Sequence, residues 1–169
     1  MIKIVIEIFK DKCWGNNALN KTEIKKLIML CLNETIDRKQ LKQIRDIFIN
    51  INFANEEIII KNNLKYRNKH QSTNVLSFAN SKNIQETISK IKTNHTLYLG
   101  DMVLCYQQLL KEAIEYNIQF KDHLYHIFIH SILHLLGYDH IVEKERIEME
   151  NLEIKILKKI NIPNPYIIG

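Results

Sequence analysis

One block constrains this chain more than any other: His130-Ser131-Ile132-Leu133-His134-Leu135-Leu136-Gly137-Tyr138-Asp139-His140. Histidines four residues apart share one face of a helix, a turn from each other. Gly137 stands where a helix C-cap calls for positive φ, so the chain can double back and bring His140 to the same point. The block therefore predicts a helix, a tight turn and a return. Three neutral imidazoles, His130, His134 and His140, suit a tetrahedral metal ion with its fourth position open, as in a catalytic zinc site and unlike a closed structural one.

Other histidines compete for the role. His123 and His126 lie on the same stripe, and a lone histidine on an apolar helix face is commonly a hydrogen-bonded core residue. His126 with His130 also satisfies the four-residue rule, but lacks a turn and a third histidine at the right distance. His123 and His126 are expected to be exposed or to support the ligands from behind. The spacing H-x3-H-x2-G-x2-H is also that of metzincin peptidases, which carry a general-base glutamate directly after the first histidine. Here that position is Ser131, so a peptidase would lack the group that takes the proton from its water.

At 169 residues the chain is expected to form a single domain, 1–169, able to bury a core without disulfides or a structural metal. Lys and Arg exceed Asp and Glu by 24 to 19, a net charge of +5 that mildly favours a polyanionic partner. Cys13, Cys31 and Cys105 are odd in number and show no C-x-x-C pattern, which points to reduced thiols in a cytosol with no disulfide partner. The N-terminal apolar run is broken by charges, unlike a signal peptide, and no segment approaches a membrane span. A soluble, cytoplasmic protein that is not exported is expected.

Ile2, Ile4, Ile6 and Ile8 alternate as in a half-buried strand, and Ile47, Ile49, Ile51 and Phe53 repeat the pattern over 44–53. Helices are expected over 22–32, from an Asn55 N-cap to about Tyr66, and over 107–116, 123–136 and 143–160. Val75–Phe78 and Leu97–Tyr106 are strand candidates, and residues 80–96 read as a long exposed connection. Pro163 and Pro165 end regular structure. Strands early and helices late argue for an α+β domain, a small mixed β-sheet packed with about five helices, the metal-site helix in the C-terminal half.

Three further blocks accompany the histidines: Asn63-Leu64-Lys65-Tyr66-Arg67, Thr73-Asn74-Val75-Leu76-Ser77-Phe78, and Leu99-Gly100-Asp101-Met102-Val103-Leu104-Cys105. With Leu133 to His140 and the terminal Pro165-Tyr166, their order and spacing resemble the YbeY family of bacterial rRNA maturation factors, metal-dependent endoribonucleases. The resemblance implies that His130, His134 and His140 match the metal ligands and that Arg67 matches an arginine essential for activity. A guanidinium presents a planar fork of donors that fits a phosphate and keeps its charge, though a helix-end arginine can equally cap carbonyls or pair with a carboxylate. Asp101 either orients a ligand histidine or ties down the backbone beside Gly100; Asp139 is expected to bond backbone in its turn. Thr73 and Ser77 suit structural or phosphate hydrogen bonds. The chain departs from the family pattern at His70 (usually aspartate), Ser72 and Ala79 (commonly proline) and Ser131 (commonly glycine), which leaves the metal site untouched but bears on the loop from Arg67 to Thr73.

The resemblance implies a single-strand-specific endoribonuclease using one Zn2+ ion, acting in maturation of the small-subunit rRNA 3′ end and in ribosome quality control. Single-stranded RNA, the ribosomal small subunit and assembly factors are the implied partners. A metal ion in such a site polarises a phosphoryl oxygen and lowers the pKa of a water. Nickel, copper or iron would also accept imidazole. A metal-stabilised assembly factor without nuclease activity is an alternative, and a zinc peptidase has only the spacing in its favour.

Overall fold

The computed structural model describes residues 1–82 and 84–167. Its central strand, β2 (Ile44–Ala54), sends Ile47, Ile49, Ile51 and Phe53 to one buried face, as their alternation dictates. β1 (Lys3–Lys10) pairs with it in parallel from Lys3↔Asp46 to Lys10↔Phe53, and β4 (His95–Cys105) runs parallel on its other side. β3 (Val75–Ala79) closes the order β1-β2-β4-β3 as an antiparallel edge strand on β4. The sheet is mixed, as expected.

Gly100 does not interrupt β4. The register passes from Phe48↔Tyr98 to Ile49↔Gly100, leaving Leu99 as an extra residue in a bulge. Gly100 there has φ +134°, and a Cβ would stand 2.1 Å from the Phe78 carbonyl oxygen. Only glycine lets β3 approach so closely.

The larger core lies on the sheet face that carries Ile47, Ile49 and Ile51. It is covered by α1 (Lys21–Thr35), α6 (Phe120–Leu135) and α7 (Glu143–Lys158), which contribute Ile24, Leu27, Phe128, Leu133 and Ile156. Asn20 starts α1 with a full capping box, its side chain accepting from the Glu23 amide while the Glu23 carboxylate accepts from its own. On the opposite face α3 (Glu56–Arg67) packs Ile59 onto Leu76, Val103 and Cys105. Asn55 caps it as expected, accepting from the Ile58 amide at 3.0 Å. α5 (Tyr106–Glu115) follows β4 directly and leads into α6.

All five expected helices are present, and among the described residues two short α-helices join them. One is α2 (Arg38–Leu41), capped by Asp37. The other, α4 (Ile84–Ser89), corrects the expectation of an exposed connection over 80–96: Ile84, Ile88 and Ile91 are buried, holding this stretch against the core. Three apolar residues in a polar run are too few to establish a helical period from sequence. No helix among the described residues is long and apolar enough to cross a membrane.

Candidate metal centre and its cleft

The turn after α6 is a Schellman motif. The Tyr138 amide donates to the Leu133 carbonyl at 3.0 Å and the Gly137 amide to that of His134 at 3.0 Å, with Gly137 at φ +91°. This carries His140 back over the helix. His130 and His134 point their Nε2 atoms at each other across 3.0 Å, and the His140 ring centre lies 5.5 and 5.0 Å from theirs. One nitrogen from each ring falls within 4.8 Å of the others.

The nitrogens facing away from this point are tied down. His130 Nδ1–H donates to Glu153 Oε1 at 2.7 Å, and His134 Nδ1–H donates to the Tyr138 carbonyl at 3.0 Å. A histidine that donates from one ring nitrogen presents the lone pair of the other, the arrangement found behind metal-bound imidazoles. Burial, then the neighbouring His130 and His140, pushes the His134 imidazole down to about 4, so it is neutral at physiological pH, as a ligand must be. The donor set and its supports fit a metal ion.

Glu153 is a residue of the candidate site that sequence reasoning missed. It is fully buried on α7, with Oε2 accepting from His126 Nε2 at 2.9 Å and from the Tyr166 hydroxyl. Burial alone would push its carboxyl up; hydrogen bonds from His126 and His130 outweigh that and hold it down at about 2. A signal existed: Glu153 lies four residues after Met149 and three and four before Ile156 and Leu157, an acid on α7's apolar stripe that must find a partner. Asp101, read as either orienting a ligand histidine or tying down the backbone beside Gly100, does neither among the described residues. Its carboxylate accepts from Asn50 at 2.9 Å and Tyr98 at 2.9 Å, and it lines a different hollow with Phe9 and Tyr66.

His123 is a correction as well. It is buried, with Nε2 2.7 Å from Glu112 Oε2, and is not exposed. His126 supports the centre through Glu153, the carboxylate it shares with His130. Ser131 is fully buried and shares a 2.7 Å hydrogen bond with Ser77 of β3, so the position of a peptidase base ties the helix to the sheet. Asp139 accepts from the His140 amide at 2.7 Å, the backbone role expected of it.

Arg67 closes α3, where Asn68 takes the left-handed conformation at φ 55°. It is exposed and makes no hydrogen bond or ion pair to any described residue, so it neither caps the helix nor pairs with a carboxylate. It lines a cleft of about 680 Å³ with Thr73, Ser77, Lys82 and all three histidines. Lys82, a second cation, went unnoticed in the sequence. The loop back from Arg67 is pinned where a proline is missing: buried Asn63 donates to the Gln71 carbonyl at 2.9 Å, and the Ser72 hydroxyl lies 3.8 Å from Cys105 Sγ. His70 is exposed and does not line the cleft.

Residues 10–161 match the family model described as Endoribonuclease YbeY. The chain belongs to the YbeY family. It is 48 % identical over 116 residues to the endoribonuclease YbeY of Ruthia magnifica subsp. Calyptogena magnifica, covering 69 % of this chain and 74 % of that protein. The endoribonuclease YbeY of Bartonella bacilliformis is 39 % identical over 153 residues, 90 % of each chain, and that of Francisella tularensis subsp. novicida 39 % over 141 residues, 83 % of each. The solution structure of TM1509 from Thermotoga maritima shares the fold, with TM-score 0.52 at 20 % identity over 93 % of this chain and 92 % of that one. The resemblance carried by the four sequence blocks is thus family membership.

Proposed function

We propose that this YbeY-family endoribonuclease cleaves single-stranded RNA in the cleft where Arg67 faces His130, His134 and His140. One observation carries the reading: a guanidinium without a partner among the described residues lines the same cleft as three converging imidazoles, although their elements cover opposite faces of the sheet. The imidazoles would hold one metal ion, zinc by the preference of that donor set, which supplies Lewis-acid activation of the phosphodiester. Arg67 donates its fork of N–H groups to the scissile phosphate and offsets the negative charge that grows on it during displacement. Glu153 and the Tyr138 carbonyl keep the His130 and His134 rings turned toward the centre. Lys82 and the net charge of +5 add salt-dependent attraction for RNA.

The whole chain acts as one cytoplasmic domain, and its substrate is rRNA: maturation of the small-subunit 3′ end and ribosome quality control, with the small subunit and its assembly factors as partners. Membership of the family supports this. Ser131, buried against Ser77, gives a peptidase no base. The test strips purified protein of metal and reloads it with zinc, then follows labelled single-stranded RNA beside His134→Ala and Arg67→Ala. Cleavage should require metal, vanish with His134→Ala together with metal retention, and fall sharply in Arg67→Ala at full metal content. Cleavage by the stripped protein or by His134→Ala would overturn it.

A further inference from the structure

We infer that the hollow beside this cleft is a subsite for one unstacked nucleobase of the RNA, which rests on the RNA-binding role proposed above. The hollow, about 710 Å³, lies between the α5–α6 turn, the first turns of α6 and the segment from Ile162 to Ile167. Its chemistry excludes a phosphate: none of its lining residues is Lys or Arg, and Glu112 and Asp122 are among them. It offers flat rings and amides. Tyr116 and Tyr166 are 45 % and 42 % exposed, so their faces are available, and edge contacts to His123 at 6.1 Å and His126 at 5.6 Å hold each ring in place. Asn117, Gln119 and Asn164 supply donors and acceptors at the wall. Apolar rings with convergent amides suit an uncharged, planar heterocycle with hydrogen-bonding edges, as in the recognition of single-stranded RNA.

Position selects the nucleobase among such heterocycles. Asn74 lines both the hollow and the metal cleft, so the two spaces adjoin, and its side chain donates to Glu112 at 3.0 Å. His123, His126 and His130 run along one face of α6 with ring centres 6.2 and 6.5 Å apart, leading from the hollow to the metal centre. The seven-residue step from His123 to His130 amounts to about 10 Å of helix, a distance that a nucleotide neighbouring the scissile phosphate can span. A strand whose phosphate lies at Arg67 can therefore place an adjacent base between the two tyrosines.

The test uses a short single-stranded RNA, intact or with an abasic ribose at each position in turn. Binding is read by fluorescence anisotropy on metal-free protein and cleavage on the zinc-loaded protein, for wild type, Tyr116→Ala and Tyr116→Phe. Tyr116 is exposed and touches none of the histidines of the metal centre, and melting curves verify that both variants fold. One abasic position beside the cut should weaken binding about tenfold, Tyr116→Ala should weaken intact RNA by a similar factor through KM, and the two losses should not add. Tyr116→Phe should restore binding. Equal affinity for every abasic RNA, or a Tyr116→Ala loss that adds fully to each of them, would overturn the subsite. Position-dependent binding without any cleavage would uphold the subsite and overturn the nuclease role instead.

Discussion

Glu153 Oε1 accepts the Nδ1–H of His130 at 2.7 Å, so a fully buried carboxylate on α7 sets the ring of a candidate metal ligand on α6. Because the same carboxylate holds His126 and Tyr166, it joins α6, α7 and the C-terminal segment behind the metal centre. Glu153→Gln keeps the volume but loses the charge that makes His130 a strong donor to it. Zinc affinity should fall 10- to 100-fold, about the range seen when the partner behind a metal-bound histidine is lost. A competition titration against a chromogenic chelator measures it; unchanged affinity would mean that Glu153 only fills space.

The metal-free protein should lose stability in two steps as the pH falls. His134 is held at about 4 against an ordinary 6.5, so between those values the unfolded chain binds more protons, and this group's stabilisation, complete above 6.5, disappears as the pH drops toward 4. Glu153, at about 2 against an ordinary 4.5, stabilises fully above 4.5 and stops doing so as the pH falls toward 2. The His134 step is worth up to about 3 kcal/mol. Urea denaturation at pH 7, 5.5 and 4 should resolve it, and His134→Gln should flatten that part of the profile.

Arg67→Ala should lower kcat/KM for RNA about 10²- to 10³-fold, the scale of losing one donor to a charge that develops in the transition state. Metal content and melting temperature should stay unchanged, because the side chain is exposed and has no bonded partner among the described residues. Arg67→Lys should recover only part of the loss, since an ammonium lacks the planar fork.

Gly137→Ala places a side chain at φ +91° and brings its Cβ to 3.3 Å from Ile84 Cγ2. Folding stability should drop by about 1–2 kcal/mol. Zinc affinity should drop with it, as the same turn presents the Tyr138 carbonyl to His134 and swings His140 into place. Thermal melts with and without zinc separate the two effects.

Ser131→Glu restores the residue type of the peptidase motif but puts a carboxylate where the side chain is fully buried against Ser77. The cost of an unpaired buried charge should unfold the protein or lower its melting temperature steeply, with no gain of casein hydrolysis. A folded variant with peptidase activity would show that this position can reach the cleft.

Two sequence expectations that the structure corrects, at Asp101 and His123, have physical reasons. Asp101 is an acid within an apolar strand, which demands a partner but does not name one; the partner came from Asn50 on the neighbouring strand and Tyr98 on its own. His123 shares the spacing of the ligand histidines, yet only the packing of α5 on α6 brings Glu112 to it and removes it from solvent.

Local rules sufficed for whatever depends on neighbours in the chain. The four-residue step from His130 to His134, the Schellman turn at Gly137 and the cap at Asn55 are written in residues less than one or two turns apart, where helix geometry fixes who meets whom. The alternation in β1 and β2 likewise determined which side chains face the core. Contacts between distant residues were decided by the tertiary structure. Arg67 reaches the histidine cleft because α3 and α6 pack on opposite faces of one sheet whose edge strand, β3, lies between them, and Glu153 reaches His130 because α7 packs on α6. No spacing in the sequence encodes either meeting; both follow from how the apolar faces of the elements are buried together.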